Sequence, residues 1–276
     1  MGVVKLLDLH NHILPGLDDG ALHMDESLRM AELMVNEGFR GVISTPHFGK
    51  AGFCSDSVTI RKRVCALNKE LQTHRIDLIV YPGMEILLCP EIPDLLRQKK
   101  VLSLNDGKYV LIELPSLGIP AGLNNFVAQL LRENKKLVIA HPEKNHGVHR
   151  RPDQLLKLVD SHQPGDILVQ ITADSLTGAA GEEVFRTAKF MLKARLVHVI
   201  ATDAHSSILR PPSIKAALTI ATAIVGRARA MKMVCDWPKQ ILLGEDVIPE
   251  RLVMRKKKWA FFKNEEFKRL GRAFGL

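Results

Sequence analysis

The stretch LLDLHNHILPGLDDGA (residues 6–21) starts as a short apolar run, ends it with two histidines one residue apart, and follows at once with paired aspartates. Side chains two apart on a strand share a face, so a strand over residues 3–9 lets His10 and His12 converge on one point past its end. DDG is also ordinary turn chemistry, because aspartate and glycine both favour turns. The rest of the chain decides between a turn and a site.

Working outward, the same pattern recurs. Short apolar runs predict strands at 3–9, 41–45, 78–82, 109–114, 137–140, 167–171 and 197–202. Helical patterns fit 57–73, 121–134, 152–162, 182–194 and 212–230, together with DESLRMAELMVNEGF (25–39). That last segment has acidic residues in its first turn and a glycine near its end, which are start and stop signals for a helix. Strand followed by helix, about seven times over with near-continuous apolar strands, means parallel strands with helices outside. A closed barrel and an open doubly wound sheet both satisfy the pattern.

In parallel β/α barrels the active site collects at the carboxyl ends of the strands. The residues just past each apolar run are His10, His12 and Asp18-Asp19, then His47, Glu85, Glu113, His141, and finally Asp203 with His205. Only the sixth run supplies neither a histidine nor an acid. A lone histidine in such a place is more often a solvated loop residue than a ligand, but one metal site accounts for the whole set. Imidazole and carboxylate without thiolate suit zinc, manganese or iron at a hydrolytic centre. The candidates outnumber the ligands of one ion, which points to two or more ions bridged by a carboxylate such as Glu85. His198 sits inside a predicted strand and reads as a hydrogen-bonded packing residue.

Composition excludes several other classes. The formal charge of +9 is concentrated in residues 255–276, where eight Lys/Arg against two Glu give +6 and leave +3 for the other 254 residues. Bulk charge therefore says little about the main domain, and no specific nucleic-acid partner is expected. Cys54, Cys65, Cys89 and Cys235 form no CxxC pair, so the expected setting is a reducing cytoplasm without a disulfide framework. The N-terminus turns polar too soon for a signal peptide, and no apolar run reaches the length of a membrane span. None of the four cysteines has an arginine six residues on, which excludes a cysteine-dependent phosphatase. No GxxxxGK[ST] motif appears.

The blocks DLHNHILPGLDDGA, STPH, GMEI, YVLIEL, VIAHPEKN and VIATDAHSSILRPP resemble, in order and spacing, the PHP (polymerase and histidinol phosphatase) superfamily. Within it they are similar to the bacterial CpsB/YwqE-type protein-tyrosine phosphatases of capsule and exopolysaccharide loci. The resemblance implies an α/β fold, a distorted (β/α)7 TIM-like barrel, as a phosphatase domain over 1–253. It also implies three divalent metal ions, manganese first, with iron, zinc or magnesium as alternatives. His10, His12, Glu85 and Asp203 would hold one ion. Glu85 would bridge to a second with Glu113 and His141, and Asp19, His47 and His205 would hold the third. Arg210 matches the family's phosphate-facing arginine, whereas Lys144 stands where the family has another, keeping the charge and losing bidentate geometry.

The chemistry expected from that resemblance is hydrolysis of phosphotyrosine by metal-bound hydroxide, with Arg210 and Lys144 orienting the phosphoryl group. A phenolate leaving group needs little protonation, which fits the absence of an obvious general acid. The implied partner is the tyrosine-rich tail of a polysaccharide-assembly kinase. Alternatives are a small-molecule phosphomonoesterase or nuclease of the same superfamily, such as one acting on histidinol phosphate, and a metal-loaded scaffold or nucleic-acid binder without catalysis. The segment 254–276 lies outside the resemblance; its aromatic residues recur beside Lys and Arg at near-helical spacing, as in a basic amphipathic tail. Such a tail suits an anionic membrane surface, an acidic protein segment, or a cover over the barrel or a subunit interface. The expected location is cytoplasmic, with membrane-peripheral and oligomeric forms both compatible.

Overall fold

The structure, a computed structural model, describes residues 5–250. Every predicted apolar run forms a strand, and two of the runs continue into a second short piece. The strands are β1 (Leu6–Asn11), β2 (Phe39–Ser44), β3 (His47–Phe48), β4 (Ile79–Pro82), β5 (Glu85–Leu87), β6 (Tyr109–Glu113), β7 (Lys136–Ala140), β8 (Ile167–Thr172) and β9 (Val199–Ala201). One ladder runs β1-β2-β4 and another β3-β5-β6-β7-β8-β9. All of these pairings are parallel.

The nine pieces make seven staves. Ser44 pairs with Pro82 at the end of one ladder, and His47 pairs with Glu85 at the start of the next. Two neighbouring staves therefore bend at the same level. Pro46 and Pro82 have no N–H to give a ladder, and Gly83 lies where a Cβ would sit 2.6 Å from Ile43 Cγ2. The bend re-aims the chain so that His47 and Glu85 begin new short strands, rather than trailing loops as the apolar pattern suggested. This is the distortion of the barrel.

Closure comes from the first and last staves. Asn11 bridges Ala204 in parallel, His12 N–H donates to Ala204 O at 2.9 Å, and Asp203 N–H donates to His10 O at 2.9 Å. Of the two topologies left open by the strand–helix alternation, the closed one is realised. Val110, Leu111, Ile112, Val138, Ile139 and Val169 are fully buried, as strands covered on both faces must be.

Helices Met24–Glu37, Ser57–Thr73, Leu123–Arg132, Pro152–Asp160 and Glu182–Lys193 follow the predicted segments with slightly shifted ends. Gly38 caps the first in the left-handed region (φ 102), as its place near the end of DESLRMAELMVNEGF foretold. The single helix expected over 212–230 is instead two, Lys215–Val225 and Arg227–Met231. Gly226, at φ 84, makes the break.

Two buried polar groups carry measurable consequences. Asp8 is fully buried and accepts from Thr202 Oγ1 (2.5 Å), Thr202 N–H (3.0 Å) and Asn11 Nδ2 (3.1 Å), tying the first stave to the last. Replacing it with alanine leaves Thr202 N–H and Oγ1–H without their acceptor, while Asn11 Nδ2 keeps Thr202 Oγ1 at 3.1 Å, so Asp8→Ala is expected to cost about 3 kcal/mol or more in urea unfolding. A loss under about 1 kcal/mol would mean that the seam does not depend on this carboxylate.

His198 lies just before β9 rather than inside it, and Val169 N–H donates to its Nδ1 at 3.0 Å. It is thus the packing residue that the sequence suggested. Burial holds its pKa down to about 3, against an ordinary value of 6.5. Below that ordinary value the unfolded chain binds a proton that the folded chain refuses, so stability falls as pH drops from 6.5 toward 3 and this residue contributes no slope above 6.5. Between pH 6.5 and about 4.5 the loss amounts to about 2–3 kcal/mol. His198→Gln is expected to flatten the acid limb of stability by that amount; an unchanged limb would place the sensitivity elsewhere.

No helix among the described residues is long and apolar enough to cross a membrane. The four cysteines are free. The basic amphipathic tail read at 254–276 lies outside the described residues.

Candidate metal centre

The carboxyl ends of the staves bring all nine predicted residues to one mouth. His10 and His12 leave β1 side by side, their Nε2 atoms 3.1 Å apart. His10 Nε2 lies 3.2 Å from Glu85 Oε2 and 3.3 Å from Asp203 Oδ1, and His12 Nε2 lies 3.5 and 3.4 Å from the same two oxygens. Four donors around an ion at about 2.0–2.1 Å in tetrahedral geometry stand roughly 3.4 Å apart. The observed spacings match that, so these four residues fit an ion.

The fit extends to lone-pair direction. His12 Nδ1 faces Asp18 Oδ2 at 2.6 Å and His205 Nδ1 faces the Asp203 carbonyl at 2.9 Å. Both partners only accept, so the ring protons sit on Nδ1 and each Nε2 turns a lone pair to the centre. His10 Nδ1 is held in the same way by Gln170 Oε1 at 3.0 Å. Buried acceptors facing one another require a positive charge between them.

Glu85 is the hub. Its Oε2 lies 2.8 Å from His47 Nδ1 as well as near His10 and His12, and its Oε1 lies 2.7 Å from His141 Nε2. Donor atoms fall into four overlapping groups: His10, His12 and Glu85; His10, His141 and Asp203; His47, Glu85 and Glu113; and His12, Asp19, His47 and His205. The last contains the predicted trio Asp19, His47 and His205. Glu113, however, groups with His47 and Glu85, while His141 groups with His10 and Asp203. His47 uses both ring nitrogens, Nδ1 toward Glu85 and Nε2 toward Asp19 at 3.3 Å.

The local field favours cations. Burial opposes charge on His12, but hydrogen bonds to Asp18, Asp203 and Glu85 hold its pKa well above 6.5, so Nε2 holds a proton at the point where a metal ion would displace it and take the lone pair. Burial likewise opposes charge on Glu85 and Asp203, yet the surrounding histidines, His10 first, and Lys144 beside Asp203 hold both well below the usual carboxylate range. His205 goes the other way: burial and then the neighbouring His12 push it down to about 2, which makes it a neutral imidazole donor at physiological pH. His141 (φ 28) and Asp203 (φ 52) both have left-handed backbone at their stave ends. For non-glycine residues this costs about 1–3 kcal/mol each, a strain that concentrates at functional sites.

A cavity of about 300 Å³ opens over the centre, lined by Asp19, His47, Glu113, His141, Asp203 and His205 together with Lys50, Lys144 and Arg210. Lys144 Nζ and Arg210 Nη2 each lie 2.7 Å from Asp203 Oδ2, and Arg210 also donates to the Asp203 carbonyl at 3.0 Å. The two predicted phosphate-facing cations therefore share one wall.

Gln170 and Lys50 escaped the sequence reading, and Asp18, named there among the strand-end residues, was given no role of its own. Asp18, whose partner Asp19 took the predicted ligand position, accepts from His12 Nδ1, His47 N–H and Gly20 N–H. Gln170 is the one polar residue in the run ILVQI, a detectable signal. Lys50 lies three residues beyond His47. Because Asp18 fixes the ring of His12, Asp18→Ala is expected to weaken metal affinity or rate by about 10- to 100-fold. Competition with a metallochromic chelator measures this; unchanged affinity would reduce Asp18 to a loop residue.

A parallel barrel whose mouth gathers histidines and carboxylates beside Lys50, Lys144 and Arg210 is an arrangement that could hold divalent metal ions next to an anionic substrate. A profile of the capsular polysaccharide synthesis CpsB/CapC family matches residues 6–243, and the chain belongs to that family. It is 32% identical over 259 residues to the tyrosine-protein phosphatase YwqE of Bacillus subtilis (strain 168), covering 93% of this chain and 100% of that protein. It is 25% identical to the tyrosine-protein phosphatase CpsB of Streptococcus pneumoniae, covering 87% and 99%. A crystal structure from work on YwqE and CpsB, described as metal-dependent tyrosine phosphatases, superposes with a TM-score of 0.84 at 32% identity, covering 90% of this chain and 100% of that one.

Proposed function

We propose that this protein is a metal-dependent protein-tyrosine phosphatase whose substrate is the phosphorylated tyrosine-rich tail of a kinase of polysaccharide assembly. The observation that carries the reading is the juxtaposition at Asp203. Its Oδ1 faces His10 and His12, and its Oδ2 takes Lys144 and Arg210. One carboxylate thus borders both a cation-binding centre and a wall suited to a phosphoryl dianion.

His10, His12, Glu85 and Asp203 would hold one of three divalent ions, manganese first. Asp19, His47 and His205 would hold another, and Glu113 and His141 would share Glu85 with a third. Such ions neutralise phosphoryl oxygens and lower the pKa of bound water toward neutrality. The chain's own residues supply the rest. Arg210 and Lys144 orient the phosphoryl group and stabilise charge on its oxygens. Asp18, Gln170 and the Asp203 carbonyl keep the imidazoles in the ligating tautomer. A phenolate leaves without a strong acid, so the cavity needs no proton donor of the usual kind.

Steady-state hydrolysis of a phosphotyrosyl peptide, histidinol phosphate and a nucleotide by the manganese-loaded protein tests this reading. The peptide is expected to turn over fastest, with activity lost on chelation, restored by manganese and indifferent to thiol alkylation. Preference for histidinol phosphate, or no turnover with metal bound, would overturn the assignment. For the tail, co-sedimentation with anionic liposomes should distinguish the full chain from one ending at Val253. Equal binding by the two would remove the membrane from the picture.

A further inference from the structure

The cavity wall carries a third cation that the chemistry above leaves unused. Lys50 sits in the turn of a small hairpin, in which Phe48 bridges Cys54 in antiparallel fashion, Gly49 N–H donates to Phe53 O at 2.8 Å and Phe53 N–H donates to Lys50 O at 2.9 Å. Ala51 (φ 51) and Gly52 (φ 84) complete the turn in the left-handed region. The Phe53 ring stacks on His47 with centroids 6.3 Å apart. The lysine backbone is therefore fixed by a closed turn that springs from a residue of the centre itself.

Lys50 Nζ donates to Glu113 Oε1 at 2.8 Å, while Glu113 Oε2 is buried with no hydrogen-bond partner. Asp203 divides its oxygens in the same way, one toward His10 and His12 and one to Lys144 and Arg210. Each of these carboxylates leaves one oxygen for the centre and gives the other to cations that also line the cavity. An ammonium has three donors, so one bond to Glu113 leaves two for a ligand. A phosphoryl dianion presents several oxygens at once, and cations held by two different carboxylates of the lining offer it more donors than the pair held by Asp203 alone.

We propose that Lys50 is a phosphoryl-binding residue, facing the phosphate from the Glu113 side as Lys144 and Arg210 face it from the Asp203 side. The assignment rests on the phosphatase reading. Its test is titration of inorganic phosphate into the manganese-loaded full chain by calorimetry, for wild type, Lys50→Met and Lys50→Arg, with bound metal counted by elemental analysis. Lys50→Met is expected to weaken phosphate binding 10- to 100-fold, the range for one charge-assisted hydrogen bond, and to raise KM for a phosphotyrosyl peptide with metal content intact. Lys50→Arg keeps the charge and is expected to stay within about threefold. Unchanged phosphate affinity in Lys50→Met would overturn the proposal. So would loss of bound metal in that variant, because the lysine would then act by holding Glu113. If wild type binds phosphate but does not hydrolyse the peptide, the phosphatase reading falls while the binding role of Lys50 still stands or falls on the titration.

Discussion

Glu85→Gln is expected to lower kcat/KM on a phosphotyrosyl peptide by about a thousandfold or more and to reduce the number of ions carried by the purified protein. The side chain keeps its shape in this variant, so the loss isolates charge and ligation. One carboxylate touches four imidazoles, those of His10, His12, His47 and His141, at 3.2, 3.5, 2.8 and 2.7 Å. An amide carries no charge and has only one oxygen to share among them. Metal stabilisation of developing charge contributes several kcal/mol to such reactions, and each 1.36 kcal/mol is a factor of ten in rate. A variant with full metal content and a rate within tenfold of wild type would show that Glu85 is not the shared ligand.

Gly20→Ala is expected to be nearly as damaging, although the residue carries no chemistry. A Cβ at this position would lie 2.2 Å from the His12 carbonyl oxygen and 2.5 Å from His12 Cβ. Both are rigid, and Ala21 N–H already donates to the same carbonyl at 3.0 Å. The loop of residues 13–21 must move away from His12, taking with it Asp18, which orients the ring. Displacement of a catalytic group by about 1 Å costs on the order of a hundredfold in rate, and overpacking adds about 1–3 kcal/mol of instability. Kinetics and a thermal melt together read both effects. Wild-type values for each would mean that the loop relaxes without disturbing the histidine.

The identity of the cluster was legible because a parallel barrel projects the residues at its strand ends to one side, and an apolar run followed by His or an acid marks such an end. His10, His12, His141, Asp203 and His205 could be found in that way. His47 and Glu85 were found for a slightly different reason, since the chain bends before them and they open short strands of their own. What the pattern does not encode is the rotation of each ring and carboxylate. His47 reaches two groups through its two nitrogens, and no spacing distinguishes that from one contact. Asp18 and Asp19 look interchangeable in sequence, yet the turn buries the Asp18 side chain to 1% exposure and leaves that of Asp19 at 52%. The helix read over 212–230 failed at Gly226, where an apolar pattern continues but the backbone does not.

The barrel seam has a consequence for how the protein is made. Asp8 and Thr202 meet across 194 residues of chain, and His10 and His12 meet Asp203 and His205 over the same span. During synthesis the opening histidines emerge early and wait, unable to form the pocket, until the seventh stave has cleared the ribosome. The ligand sets that include Asp203 or His205 can then form only as a final event, because ligands drawn from both ends of the barrel are not together in a partial chain. Fragments cut short of residue 203 are expected to carry fewer ions than the full chain, because they lack Asp203 and His205 however much of the sheet they form.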